Sequence, residues 1–400
     1  MTDRPAPALR HPLRVAAALA LAAAVSLGLA RFSYALMLPS MRADLGWNYL
    51  TAGAMNTANA AGYLAGALAA PTMLARFGAR SLLLAGGFVT ALLLALHAGV
   101  TDATVLGVLR ALTGVASAAS FVSGGLLAAR LAGGSGHAGL VLGLYYGGTG
   151  VGIVGAALLV PPLAGREVPH AWQGAWLGLA ALALLATAIT ARATRALAAR
   201  PPAMARRAPF RWAPFGFGLA GYFMFGLGYI GYMTFVITLL REQHLAPGLI
   251  VAFYVLLGLA VVASSRIWAG LLQRARGGGA LALLNALLAL ATLLPVLSAH
   301  PVAVFASGLL FGAVFLSVVA STTALVRHNL PPSAWSGGIA AFTIVFAAGQ
   351  IVGPSLVGWL SDGPGGLVSG FAVSAAMLTL GALSAAAQKP LRHADEGAQV

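Results

Sequence analysis

Twelve stretches of about twenty apolar residues, separated mostly by short loops, govern what this chain can become. They read as 14–38, 50–71, 81–99, 103–128, 138–162, 172–191, 213–240, 248–270, 279–298, 302–326, 335–358 and 366–387. A hydrocarbon core of ~30 Å is crossed by ~20 residues of helix, and in lipid a backbone must satisfy its own N–H and C=O groups. Composition points the same way: 60% of the 400 residues are hydrophobic and only 8% charged, too few to cover a soluble globule. The spacing predicts an all-α membrane protein of twelve transmembrane helices, with no room for a soluble domain.

Three competing readings fail on the residues. The net charge of +15 is almost all arginine, with Lys389 the single lysine, and it falls between apolar runs rather than on one soluble face. Positive charge beside membrane spans is explained by retention on the cytoplasmic side with its anionic lipids, so no nucleic-acid partner is expected and membrane lipids are. Arg4, Arg10 and Arg14 before an alanine-rich run imitate a secretory signal, but the run continues through Arg31 and Tyr34 to Pro39 and many spans follow. It is therefore expected to be the first transmembrane helix. With no cysteine, and eight histidines scattered singly, neither a metal site, a cofactor site nor an enzyme's nucleophile–base cluster is expected.

Lysine and arginine set the orientation. With the N-terminus in the cytoplasm, seventeen of the 23 fall on the inside, including Arg76, Arg80, Arg130, Arg274, Arg276 and Arg327. Only Arg42, Arg166 and Arg241 fall outside, and Arg31, Arg110 and Arg266 lie within spans. Such a bias over short loops predicts both termini inside. The longest connection, residues 192–212, carries six arginines and suits a cytoplasmic linker between two halves. The expected organisation is a six-helix bundle over 1–200, a linker over 201–212 and a second six-helix bundle over 213–400, related by an axis along the membrane normal.

Several segments carry a family resemblance. The loop Ala75-Arg-Phe-Gly-Ala-Arg80 resembles the cytoplasmic signature of the major facilitator superfamily, although Ala75 stands where the signature has an acidic residue and Pro71 where it begins with glycine. Arg110-Ala-Leu-Thr-Gly114 resembles the superfamily's fourth-helix motif. Gly28-Leu-Ala-Arg-Phe-Ser-Tyr34 with Leu38-Pro39-Ser-Met41, and Gly349-Gln-Ile-Val-Gly-Pro354, resemble the first and eleventh helices of its YbfB/YjiJ-like branch. The resemblance implies a secondary transporter, monomeric, in a bacterial inner membrane, working on a small solute by alternating access. It also implies a gating loop at Arg76, Gly78 and Arg80, and a central cavity faced by spans one, two, four, seven, eight, ten and eleven.

Ionisable and amide side chains inside these spans are the candidate ligands, because burying a charge in hydrocarbon costs at least ~2.5–3.5 kcal/mol and is kept for a reason. Arg31 and Arg110 lie seven residues from the expected outer ends of their spans, about 10 Å deep. Asn56 and Gln350 lie at a similar level. Helical spacing adds Tyr34 to Arg31, Asn59 and Tyr63 to Asn56, and a stripe of Tyr222, Phe225, Tyr229 and Tyr232 in span seven. The expected substrate-binding set is Arg31, Tyr34, Asn56, Asn59, Arg110, Tyr222, Tyr229 and Gln350. No Asp or Glu lies inside a span. Two arginines without a buried carboxylate favour an anion, so the expected substrate is a small organic anion such as a carboxylate, moved in symport with a proton carried on its own carboxyl group.

The alternative is proton-driven efflux of drugs or metabolites. Gly150-Val-Gly-Ile-Val-Gly155 spells a dinucleotide fingerprint, but it sits in an apolar span rather than between a strand and a soluble helix. Small residues at that spacing let helices approach and bend. The segment resembles the glycine-rich fifth helix of proton-coupled exporters, without the proline expected there.

Overall fold

The described residues, 12–133, 138–166, 168–195, 197 and 210–391 of a computed structural model, contain helices and turns and no strand. Residues 201–209 of the expected linker, together with Arg4, Arg10, Arg200, Arg206, Arg207, Arg392 and Glu167, lie outside the described residues.

The helices are α1 (Pro12–Leu45), α2 (Tyr49–Phe77), α3 (Ala79–His97), α4 (Ala103–Gly133), α5 (Ala138–Ala164) and α6 (Ala171–Ala193). They continue as α7 (Gly216–Glu242), α8 (Pro247–Ile267), α9 (Gly279–Leu297), α10 (Pro301–Asn329), α11 (Trp335–Ser361) and α12 (Gly366–Ala386), with a further turn of helix at Ala269–Arg274 after α8. Among the described residues, eleven helices are long and apolar enough to cross a membrane. The exception is α2, which has the length at 29 residues but is diluted by Asn56, Asn59, Tyr63 and Pro71.

Several helices outrun the apolar stretches. α1 reaches Leu45 rather than residue 38, with Pro39 inside it, and α2 reaches Phe77, with Pro71 inside it. Proline removes one N–H, and neighbouring helices make the defect tolerable in a membrane protein. Because the helices run on, three carboxylates beyond the apolar stretches stand at helix ends: Asp44 sits in the last turn of α1, Glu242 ends α7, and Asp362 caps α11.

The packing repeats after six helices. α2 and α3 both pack on α4, α3 packs on α6, and α1 packs on α5 and α6. Six positions later, α8 and α9 both pack on α10, α9 packs on α12, and α7 packs on α11 and α12. The two sets meet along α5–α8 and α2–α11, with a smaller seam between α1 and α7.

The glycines of α5 serve two of these contacts. A Cβ on Gly152 would lie 2.4 Å from the Ala24 carbonyl oxygen of α1, and one on Gly150 would lie 2.3 Å from the Gly258 carbonyl oxygen of α8. Glycine thus lets α5 touch backbone on both sides, as small residues do where dispersion rather than hydrophobicity holds membrane helices together.

Candidate functional site

α1 is not uniform along its length. Residues Ala24–Phe32 form a π-helix, a wider winding whose hydrogen-bond pattern differs from that of the α-helix on either side. Carbonyls of this segment receive side chains. Arg110 Nη1 of α4 donates to the Ala30 carbonyl at 2.8 Å, Tyr254 of α8 donates its hydroxyl to the Phe32 carbonyl at 2.7 Å, and Ser33 Oγ donates to the Leu29 carbonyl at 2.5 Å. Arg31 lies in the same segment, fourteen residues before the end of α1, so it sits deeper along its helix than the apolar stretch suggests.

The two arginines differ in what they touch. Arg110 is 1% exposed and held at two of its nitrogens, Nη1 on Ala30 and Nη2 on Asn56 Oδ1 at 2.6 Å, with Nε unpartnered and its guanidinium 4.7 Å from the ring centroid of Tyr34. Tyr34 is itself fixed by donating to the Ala52 carbonyl at 2.9 Å, and Asn59 Nδ2 donates to the Arg110 carbonyl at 3.0 Å. Arg31 is 4% exposed, stands 5.7 Å from the ring centroid of Tyr63, and has no hydrogen-bond partner for Nε or Nη2. A buried guanidinium with unmet donors is costly, and an arriving acceptor relieves that cost.

The remaining expected residues gather on the opposite side. Gln350 Nε2 of α11 donates to the Tyr229 hydroxyl of α7. Tyr222, Phe225 and Tyr229 stack successively along α7, and each also stacks on Phe346 of α11. Two bridges join the clusters: Asn56 Nδ2 donates to Thr234 Oγ1 at 2.8 Å, and Phe32 meets Phe315 edge-on at 5.7 Å while Phe315 stacks on Tyr229 at 6.1 Å. Thr234, Tyr254, Phe315 and Phe346 are absent from the set expected from sequence. Phe346 had a signal, standing one helical turn before Gln350, whereas Thr234 is indistinguishable in sequence from a packing residue.

At the end of the helices carrying Leu45 and Glu242, the two sets are tied together. Asp362, at the end of α11, accepts from the Tyr49 N–H at 2.7 Å and the Leu50 N–H at 2.9 Å, both in the first turn of α2. Glu242 accepts from the Tyr49 hydroxyl and pairs with Arg42 at 3.7 Å, while Arg42 covers the Tyr49 ring at 3.9 Å. Below them, Thr57 Oγ1 donates to the Ile351 carbonyl at 2.7 Å and lies 2.8 Å from Ser355 Oγ.

The other end of the bundle carries Arg76, Gly78 and Arg80. Gly78, with φ of 76°, makes the sharp joint between α2 and α3. Arg80 donates to the Ala191 and Thr194 carbonyls at 2.9 and 3.1 Å, pinning the start of α3 to the negative end of the α6 dipole. Arg76 is exposed and lies 5.4 Å from the ring centroid of Phe77.

His97, whose position at the end of an apolar stretch suggests a place near the surface, is fully buried at the end of α3, stacked on Trp176 of α6 at 4.3 Å, with Nδ1 donating to the Leu93 carbonyl at 2.7 Å. A helix end in sequence is not a helix end in solvent when an indole from the next helix covers it.

A chain of membrane-crossing helices whose packing repeats after six, with a buried guanidinium layer where the two sets meet, has the build of a solute transporter. Residues 23–386 match the family described as uncharacterised MFS-type transporter YbfB, and the chain belongs to that family. Similar solved structures include the nucleoside transporter NupG, 13% identical over 95% of this chain and 98% of that chain, with a TM-score of 0.68. A mutant of NupG is 14% identical over 93% and 98%, with a TM-score of 0.69. Tetrameric PepTSo2 is 13% identical over 94% and 96%, with a TM-score of 0.69. At such identities the likeness shows the fold alone. No curated protein matches the chain. The protein is thus a multi-pass membrane transporter of the major facilitator type, from a family of transporters rather than enzymes, with a small-molecule substrate.

Proposed function

We propose that this transporter moves a small organic anion, such as a carboxylate, by alternating access, with Arg31 as the charge-pairing ligand. The observation that carries the reading is the Arg31 guanidinium, buried with Nε and Nη2 unpartnered. The described carboxylates Asp44, Asp102, Glu242 and Asp362 all stand at helix ends or in loops, leaving the buried positive layer without an acidic neighbour inside a span. Arg110, Tyr34, Asn56 and Asn59 complete the proposed binding set on one side, and Tyr222, Tyr229 and Gln350 on the other.

In this reading α2 is the twelfth span, and residues 1–200 and 213–400 are the two bundles that rock about the shared site. Both termini lie in the cytoplasm of a bacterial cell whose inner membrane holds a monomer. The Arg42–Tyr49–Glu242–Asp362 cluster then closes the outer side, and the Arg76–Gly78–Arg80 joint belongs to the inner side. A proton enters with the substrate's own carboxyl group.

The test is uptake by Arg31→Gln protein in proteoliposomes, preceded by a thermal-shift screen of the purified protein with organic acids against lipophilic cations. Stabilisation by acids and loss of uptake in the variant are expected. Preferential stabilisation by cations, or normal anion uptake by the variant, overturns the reading, and the cation result favours efflux.

A further inference from the structure

The wall opposite Arg31 has a more specific shape than an anion alone requires. Tyr222 and Phe225 are 13° from parallel, Phe225 and Tyr229 are 20°, and Phe346 lies within 9° to 21° of all three, with centroids 4.6 to 5.7 Å apart. Isolated aromatic pairs adopt edge-on as well as offset-stacked geometries, and elsewhere in this chain Phe32–Phe315 is edge-on at 86°. These four rings therefore share one plane direction and form a single stacked cluster. They derive from two helices, α7 at spacings of three and four residues and α11 one turn from Gln350, so the shared direction is fixed by backbone geometry on both.

The rings are placed beside the charge. The Arg31 guanidinium stands 5.7 Å from the ring centroid of Tyr63, and Phe32, next to Arg31 in the chain, meets Phe315 edge-on, which in turn stacks on Tyr229. Tyr63 and Phe346 are only half-buried, one on each side of the seam, whereas Phe225 and Tyr229 behind them are closed off. The Tyr229 oxygen already accepts from Gln350, which leaves its own O–H as a further donor in addition to the unmet donors of Arg31. A planar ring and a carboxylate attached to it would meet complementary groups at both ends.

We infer that the substrate class is an aromatic carboxylate, its carboxylate on Arg31 and its ring stacked between Tyr63 and Phe346. This rests on the anion reading and narrows it. An aliphatic acid of equal charge and size would keep the Arg31 contact and lose the stacking, a difference of about three- to ten-fold in affinity.

The experiment uses matched pairs that differ in aromaticity: benzoate against cyclohexanecarboxylate, and 3-phenylpropanoate against 3-cyclohexylpropanoate. Affinities come from thermal-shift titration of the purified full chain, wild type and the variants Arg31→Gln and Phe346→Leu. Expected are tighter binding of the aromatic member of each pair, loss of both members in Arg31→Gln, and a narrowed ratio in Phe346→Leu. A merely structural Phe346 would weaken both members alike and leave the ratio unchanged, which overturns the inference. Equal wild-type affinities within each pair, with both lost in Arg31→Gln, overturn it while leaving the anion reading intact. Unchanged acid binding in Arg31→Gln removes the anion reading and the inference with it, and no binding of any of the four acids overturns the inference.

Discussion

Arg110 of α4 donates from Nη2 to Asn56 Oδ1 of α2 at 2.6 Å, whereas Nε and Nη2 of Arg31, its buried neighbour in α1, have no partner. Asn56 passes the link on to Thr234 of α7 at 2.8 Å, so the chain α4–α2–α7 crosses the junction between the two sets. Arg31, without such ties on Nε and Nη2, is the group that an arriving anion would satisfy.

That difference is measurable without knowing the substrate. Arg110→Gln strips partners from the Ala30 carbonyl and Asn56 and is expected to cost about 2–4 kcal/mol of stability, lowering the unfolding midpoint in detergent. Arg31→Gln removes an under-partnered buried charge, so its midpoint is expected to equal or exceed that of wild type. A larger loss in Arg31→Gln than in Arg110→Gln would reverse the assignment.

The closed end can be probed by labelling, since the chain has no cysteine of its own. A Ser355→Cys reporter on α11 lies behind the Asp362–α2 contact, beside Thr57. Adding Asp362→Asn removes a negative charge from the N-terminus of α2, an effect of about 1 kcal/mol that raises the open fraction roughly five-fold. Labelling by an impermeant maleimide should accelerate accordingly. Unchanged labelling would mean that these bonds do not limit opening.

The glycines of α5 make a sharper steric prediction. Gly150→Val drives side-chain atoms into the Gly258 carbonyl of α8 and is expected to destabilise the interface by about 1–3 kcal/mol, with lower yield of monodisperse protein. Gly107→Val on α4 meets no atom within 4 Å at its Cβ and should be tolerated. Size-exclusion profiles of the two variants provide the comparison.

At the joint between α2 and α3 the two arginines should separate. Arg80→Ala releases the Ala191 and Thr194 carbonyls and is expected to lower stability by about 1–3 kcal/mol. Arg76→Ala, exposed and touching Phe77, should change stability by less than about 0.5 kcal/mol. Equal unfolding midpoints for the two variants would contradict this division.

Sequence made some of this legible and hid the rest for physical reasons. Apolar runs reveal helices because the membrane imposes one length scale, and among the described residues eleven helices are long and apolar enough to cross it. α2 is the exception because Asn56 and Asn59, which make it interesting for binding, also dilute its hydropathy. Periodicity put Tyr222 and Tyr229 on one stripe, but their common ring plane depends on Phe346 from another helix, which no local pattern encodes. The π-helix around Arg31 was invisible for the same reason: carbonyl partners such as Arg110 and Tyr254 come from α4 and α8.

Asp362 has a consequence for how the helices themselves hold together. The first N–H groups of any helix have no partner within it, and Tyr49 and Leu50 meet theirs on a carboxylate some three hundred residues away in the chain. α2 therefore has a complete first turn only while α11 stands beside it. When the two separate, water must take over those two donors, so hydration of the α2 terminus accompanies opening and its removal accompanies closure. Amide exchange at Tyr49 and Leu50 would then act as a clock for the transport cycle, running only while that side of the protein is open.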